Sequence, residues 1–351
     1  MKILFLPLYG IGDTLMTTPA LRILKRERPE WKVHVLTMFK STHDVLLRNP
    51  CVDEIIFFPL LSSRWQGLKF AFSLRGEYRI TINPYPSNRR DYNILAYLIH
   101  APYRLGHEYK QDNFKELNFL KNIRIMEDDS LHNVEENIRL LELLGIKSRE
   151  KLPLELHLSP EEIAWGRRYL EERGIEGFLV GSHPGSSLFK YHTAKRWDKE
   201  KFKKLFDIIL EERKDARILL FGGKEELGLR EEIRKINPER MHVIDTKTVR
   251  ETAAIMKNLS IFITNDSGVM HLAAACMVPI VAIFGPTNPG WVGPWGVPSR
   301  VVRLGLPCSP CFRYSPKPMI CWAKRNYECM RKIEVEDVYR AYRSLTRELG
   351  I

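Results

Sequence analysis

The chain has 351 residues, enough for two domains of ordinary size. Hydrophobic residues make up 44% and charged residues 28%, which excludes a disordered chain and describes a protein with a full core. The 55 lysines and arginines against 43 acids leave a net charge of +12, which favours anionic partners: nucleic acid, phosphorylated metabolites or an acidic membrane face.

The opening residues, MKILFLPLYGIGD, lack the small-residue cleavage site of a secretory signal and turn amphipathic after Asp13, so the expected location is cytoplasmic. KILFLPL, KVHVLTM, EIIFFPL and YRITINP read as strands, because continuous apolar runs of this length suit a sheet covered on both faces. Between the first two, Leu15, Ala20, Leu21 and Leu24 share a helical face that Pro29 ends. HNVEENIRLLELLGI is a second helix, stopped by Gly145.

The polar segment from Lys151 to Gly177, with Pro153 and Pro160, marks a domain boundary. The alternation then restarts with GFLVGSHPG, ARILLFGGKE, HVIDT, IFITNDSG, PIVAIFGPT and RVVRL, and Asp198 is a candidate cap for the helix after the first of them. From Gly268 to Gly285 the chain carries no formal charge, but His271 and Pro279 mark a short helix followed by a buried strand and not a membrane span. Two successive alternations predict an α/β protein of two doubly wound, Rossmann-like domains facing a central cleft. The expected divisions are 1–155, 156–330, and a C-terminal helix over 331–351 that crosses back to the first domain.

Gly10-Ile11-Gly12-Asp13 resembles a phosphate turn but fails both common patterns. A dinucleotide fingerprint needs a small residue where Leu15 stands and an acid after the second strand, and no Gly-Lys-Ser/Thr follows. Asp13 is then either a helix cap or a carboxylate at the carboxyl end of a strand, where a doubly wound domain keeps its ligand crevice and a general base can act. The second half supplies the anion site: HPGSS, the adjacent Lys195 and Arg196, FGGKEE, and Asn265-Asp266-Ser267-Gly268 at the start of a helix. Free N–H groups and a partial positive charge at that helix end suit a diphosphate.

Taken together, GIGDTLMTTPALRILK, HPGSSLFKYHTAKRWDKEKF, LLFGGKEE and ITNDSGVMHLAAACMVPIVAIFGPTNP resemble glycosyltransferase family 9, the ADP-heptose:lipopolysaccharide heptosyltransferases. The resemblance implies a GT-B fold and an inverting, metal-independent transfer of heptose from ADP-heptose to an inner-core acceptor, with no catalytic cofactor. It implies that Asp13 is the base and that Lys195 neutralises the leaving diphosphate. Ser186, Ser187, Glu225, Asp266, Ser267, Gly268 and His271 fall in donor-binding positions, with Glu226 as the alternative to Glu225. Gly12, Arg89, Arg90, Arg104 and His107 are candidates for the acceptor. The implied partners are a nucleotide sugar, an anionic lipid-linked saccharide and, peripherally, the cytoplasmic face of the inner membrane, without nucleic acid. Another nucleotide sugar, or binding without catalysis, are the competing readings.

Two features stand apart. Cys308, Cys311, Cys321 and Cys329 suit a structural zinc, an iron–sulfur cluster or disulfides. The segment SRWQGLKFAFSLRGEYR interleaves basic and aromatic residues, as a membrane-surface helix does, or as a helix packed on its own sheet does.

Overall fold

The apolar run after the first methionine becomes β1 (Lys2–Phe5), flanked on both sides by parallel strands in a computed structural model that describes residues 1–60, 63–187, 189–314 and 318–351. Contacts divide the chain into two units, Met1–His157 and Leu158–Ile351. In the first, β1 is joined by β2 (Lys32–Thr37), β3 (Glu54–Phe57), β4 (Ile80–Ile82), β5 (Tyr103–Glu108) and β6 (Ile123–Met126). The strands form one six-stranded sheet in the order β3-β2-β1-β4-β5-β6, every pair parallel. The order reverses between β1 and β4, and a doubly wound sheet opens its crevice at that switch point.

The second unit repeats the plan with β7 (Phe178–His183), β8 (Ala216–Leu220), β9 (Met241–Val243), β10 (Ile261–Asn265), β11 (Ile280–Ile283) and β12 (Ser299–Val302). Its order is β12-β11-β10-β7-β8-β9, again all parallel, with the switch point between β7 and β10. Asp198 caps the helix Lys199–Glu212 by accepting from Glu200 N at 2.7 Å, and Phe202, Leu205, Phe206 and Ile209 bury that helix against the sheet. Each such side chain contributes roughly 1.5–3 kcal/mol, so this face and not helix propensity holds the element in place. The final helix, Val335–Leu349, packs Val338, Tyr342 and Leu345 into the core of the second unit.

The uncharged run from Gly268 divides as its histidine and proline suggest, into the helix Gly268–Ala275 and β11. No helix among the described residues is long and apolar enough to cross a membrane. The sequence patterns missed β5 and β6. Arg104, His107 and Glu108 interrupt the first, and β6 is an edge strand whose Arg124 and Met126 face outward.

Candidate active site

In the second unit, the turns that follow β7, β8 and β10 are tied together by side chains at the switch point. Asn265 closes β10, and its amide donates to the carbonyls of Pro184 at 2.8 Å and Gly185 at 3.2 Å. The Asn265 Oδ1 accepts from Trp197 N at 3.0 Å, so one buried amide joins the HPGSS turn to the segment that carries Lys195. The indole of Trp197 is itself fixed by donating to the Ile333 carbonyl at 2.9 Å.

This anchoring delivers the Lys195 ammonium to Asp266, 2.7 Å away, with both side chains buried. The ring of Phe312 lies 4.8 Å from the same nitrogen and adds a cation–π contact. Burial alone would raise the Asp266 carboxyl, but the charge and hydrogen bond of Lys195 hold it below the ordinary value. His271, one turn into the helix Gly268–Ala275, is pushed down to about 4 by burial, so it is a neutral imidazole at pH 7. Its buried Nδ1 has no hydrogen-bond partner in the structure. Ser267 is the N-cap residue of that helix without a side-chain cap bond, and its Oγ lies 2.9 Å from His183 Nδ1. The arrangement suits an anion: a buried ammonium, a helix N-terminus and an open imidazole nitrogen on adjoining turns.

Ser186 is buried; its hydroxyl donates to the His192 carbonyl at 2.8 Å and accepts from Arg196 Nε at 3.2 Å, so it helps to shape the turn. Of the two adjacent glutamates, Glu226 is buried and Glu225 is exposed. Ser187 is exposed beside them; Leu188, which follows in the same motif, lies outside the described residues.

In the first unit, Asp13 is not the helix cap. Gly10 occupies that position for the short helix Ile11–Leu15, without a side-chain cap bond, and Asp13 sits in the first turn, half-buried, beyond the end of β1. Gly12 beside it is buried. Of the expected acceptor groups, His107 is fully buried, its Nε2 lies 3.2 Å from Glu136, and burial lowers its pKa. Arg104 donates to the carbonyls of Leu120 and Ala101, and Arg90 to that of Lys115, so both guanidinium groups serve the local backbone. Arg89 instead lies over the ring of Tyr92, 3.2 Å from its hydroxyl.

Cys308, Cys311, Cys321 and Cys329 are free thiols, and among the described residues no group of three or more His, Cys, Asp or Glu could hold a metal ion. Cys329 belongs to the core of the second unit; burial, with the neighbouring thiols, pushes it up to about 11 and keeps it protonated at neutral pH.

A family model described as glycosyltransferase family 9 (heptosyltransferase) matches residues 75–321, more than half of the chain. The chain belongs to that family. Among curated relatives, lipooligosaccharide heptosyltransferase 2 of Campylobacter jejuni is 28% identical, with 96% of each chain covered. Lipopolysaccharide heptosyltransferase 3 of Escherichia coli is 27% identical over the same shares. Among solved structures, a glycosyl transferase family 9 protein from Veillonella parvula aligns with a TM-score of 0.81 at 24% identity, covering 99% of this chain and 97% of the other. The E. coli ADP-heptose lps heptosyltransferase II aligns with a TM-score of 0.77 at 21% identity over the whole of both chains. The two parallel sheets are therefore those of a GT-B glycosyltransferase, and this family 9 member is an enzyme of the heptosyltransferase type.

Within that frame the sequence assigns no individual part to His183, Trp197 and Phe312, and names Asn265 and Glu226 without their partners. A strand-end histidine and asparagine beside glycine turns were visible, but which side chains meet depends on the strand order. Phe312 lies far along the chain from Lys195, and no local pattern pairs them.

Proposed function

We propose that this enzyme moves heptose from ADP-heptose to an inner-core saccharide of lipopolysaccharide, with inversion and without a catalytic metal. The observation that carries the reading is the buried Lys195–Asp266 pair beside the helix N-terminus at Gly268 and the open His271 nitrogen. An ammonium has three N–H donors; one is used by Asp266, leaving others for the oxygens of a diphosphate. Charge develops on the leaving ADP in the transition state, where a positioned cation in a dry site stabilises most. Asp266 holds that cation in place and turns its second oxygen toward sugar hydroxyls. Asp13, at the switch point of the acceptor domain, takes the proton from the attacking hydroxyl, and one displacement at the anomeric carbon inverts it. A single base suffices, unlike the paired carboxylates of a glycosidase.

The acceptor is lipid-linked, and the enzyme works peripherally on the cytoplasmic face of the inner membrane. Supporting this, the helix Arg64–Ser73 exposes Trp65 and Phe72 beside Lys69, with Arg75 just beyond. The test is a titration with ADP, UDP and GDP by calorimetry, followed by transfer from ADP-heptose to heptose-deficient core lipid. Preference for ADP with formation of the heptosylated product is the expected result. Preference for UDP or GDP would assign another nucleotide sugar, and binding without transfer to any core acceptor would leave a binding protein.

A further inference from the structure

We infer that Thr18 is a positioning residue for Asp13: its buried hydroxyl closes the helical turn that Pro19 leaves open, and so fixes the short helix that carries the carboxylate. That helix, Ile11–Leu15, is little more than one turn long. A helix so short does not hold itself, because the last carbonyls of any helix lack partners within it, and here they are most of the element. The next helix, Thr18–Glu27, begins only two residues later. In a continuous helix the Leu15 carbonyl would accept from the N–H of residue 19, but Pro19 has none. Thr18 Oγ1 takes its place and donates to the Leu15 carbonyl at 2.7 Å. Leu15 and Thr18 are both fully buried, so water does not replace this bond when it is lost.

The direction of the bond is fixed as well. The backbone N–H of Glu155 reaches the same hydroxyl at 2.9 Å and can only donate, so the hydroxyl accepts there and its one hydrogen points at Leu15. One side chain thereby joins the helix of Asp13 to the last segment of the first unit, which ends at His157.

Thr17, next to it, differs in one respect that makes it a control. Its buried hydroxyl donates to the Thr14 carbonyl at 2.7 Å, but its own backbone N–H reaches the same carbonyl at 3.1 Å. Removing the Thr17 hydroxyl leaves that carbonyl bonded, whereas removing the Thr18 hydroxyl takes this bond from Leu15 outright.

Asp13 stands two residues before Leu15 in the same short helix, so a shift of the Leu15 carbonyl is passed to the carboxylate. A general base must stand within hydrogen-bond reach of the proton it takes, and a displacement of about 1 Å costs much of the rate. Thr18 is sealed from solvent and acts through the turn.

The inference rests on the reading that Asp13 is the base, and the experiment separates the two. Transfer kcat, acceptor KM, ADP affinity and melting temperature are measured for the full chain, Thr18→Val, Thr18→Ser, Thr17→Val and Asp13→Ala. Thr18→Val keeps the shape and loses the hydroxyl. It is expected to lower kcat at least about fivefold with ADP affinity within about twofold, because the groups proposed to hold ADP belong to the other unit. Thr18→Ser returns the hydroxyl and should bring kcat back to within about twofold of the unmodified enzyme. Thr17→Val removes an equivalent hydroxyl one residue away and should lower kcat much less. If Thr18→Val does not fold, Thr18→Cys decides: it has the shape of Thr18→Ser with a far weaker donor, and its kcat should lie at least about fivefold below that variant. A smaller loss of kcat in folded Thr18→Val, no recovery in Thr18→Ser, or an equal loss in Thr17→Val overturns the inference. Undiminished transfer by Asp13→Ala would instead overturn the reading of Asp13 as the base.

Discussion

The Lys195 ammonium lies 2.7 Å from Asp266, and its neighbour Arg196 turns away to Glu226 and the Ser186 carbonyl. Adjacent cations in the same segment therefore have different tasks. The proposed reading gives Lys195 the leaving diphosphate, and Arg196 the turn that borders it.

Lys195→Ala should accordingly lower kcat about a hundredfold, on the order of 3 kcal/mol of transition-state stabilisation, and also weaken ADP. It leaves Asp266 buried without its cation, so a lower melting temperature is expected as well. Arg196→Ala should act mainly on donor KM. Lys195→Arg should recover only part of the rate, because a planar fork does not replace a compact ammonium. Steady-state kinetics on the three variants check this; equal kcat losses in the two alanine variants would contradict the division of tasks.

Phe312 faces the same ammonium at 4.8 Å. Phe312→Leu keeps the apolar volume and removes the ring, and should weaken ADP by a few-fold, about 0.5–1 kcal/mol. Calorimetry with ADP reads the effect directly, and an unchanged affinity would assign the ring to packing alone.

Much of this was legible beforehand, for identifiable reasons. β7 to β12 announced themselves because buried parallel strands are continuous apolar runs, as in Phe262-Ile263-Thr264 and Val281-Ala282-Ile283. Asp266 and His271 drew attention because they stand at a helix start, and Lys195 because its segment resembles that of the family. β5 was hidden because it carries Arg104 and His107 at positions the fold buries against Leu120 and Glu136. For the same reason His107 looked like a ligand: a histidine satisfied by a distant glutamate cannot be told from an exposed one by its neighbours in sequence. The division of Glu225 from Glu226 likewise depends on His183 and Arg196, which only the sheet order brings together.

His271 makes stability depend on pH. Its folded value of about 4 lies below the ordinary histidine value of about 6.5. Between the two the unfolded chain binds a proton that the folded one does not, so stability falls as pH drops through this window, by up to about 1.4 kcal/mol per pH unit. His271→Asn should flatten that slope in urea unfolding measured from pH 4.5 to 7. His34, His107 and His242, lowered in the same direction by burial, keep part of the slope. An unchanged slope would contradict the buried neutral state of His271.

On the proposed reading, in which Lys195 and the N–H groups at Gly268 meet the diphosphate, transfer should continue after exhaustive dialysis against EDTA. Melting temperature is followed on the same samples, so that any loss of fold is seen separately from loss of rate. Activity restored only by added magnesium or manganese would contradict a metal-free leaving-group site.

The most direct measurement pairs binding with turnover for Asp13→Ala on one preparation. Asp13 lies beyond β1 in the first unit, whereas the groups proposed to hold ADP all belong to the second. The expected result is ADP affinity within about twofold of the unmodified enzyme and heptose transfer reduced by at least 10²–10⁴-fold, the range a general base supplies. Near-normal transfer by Asp13→Ala would contradict its role as the base, and loss of ADP binding would contradict the division of donor and acceptor between the two units.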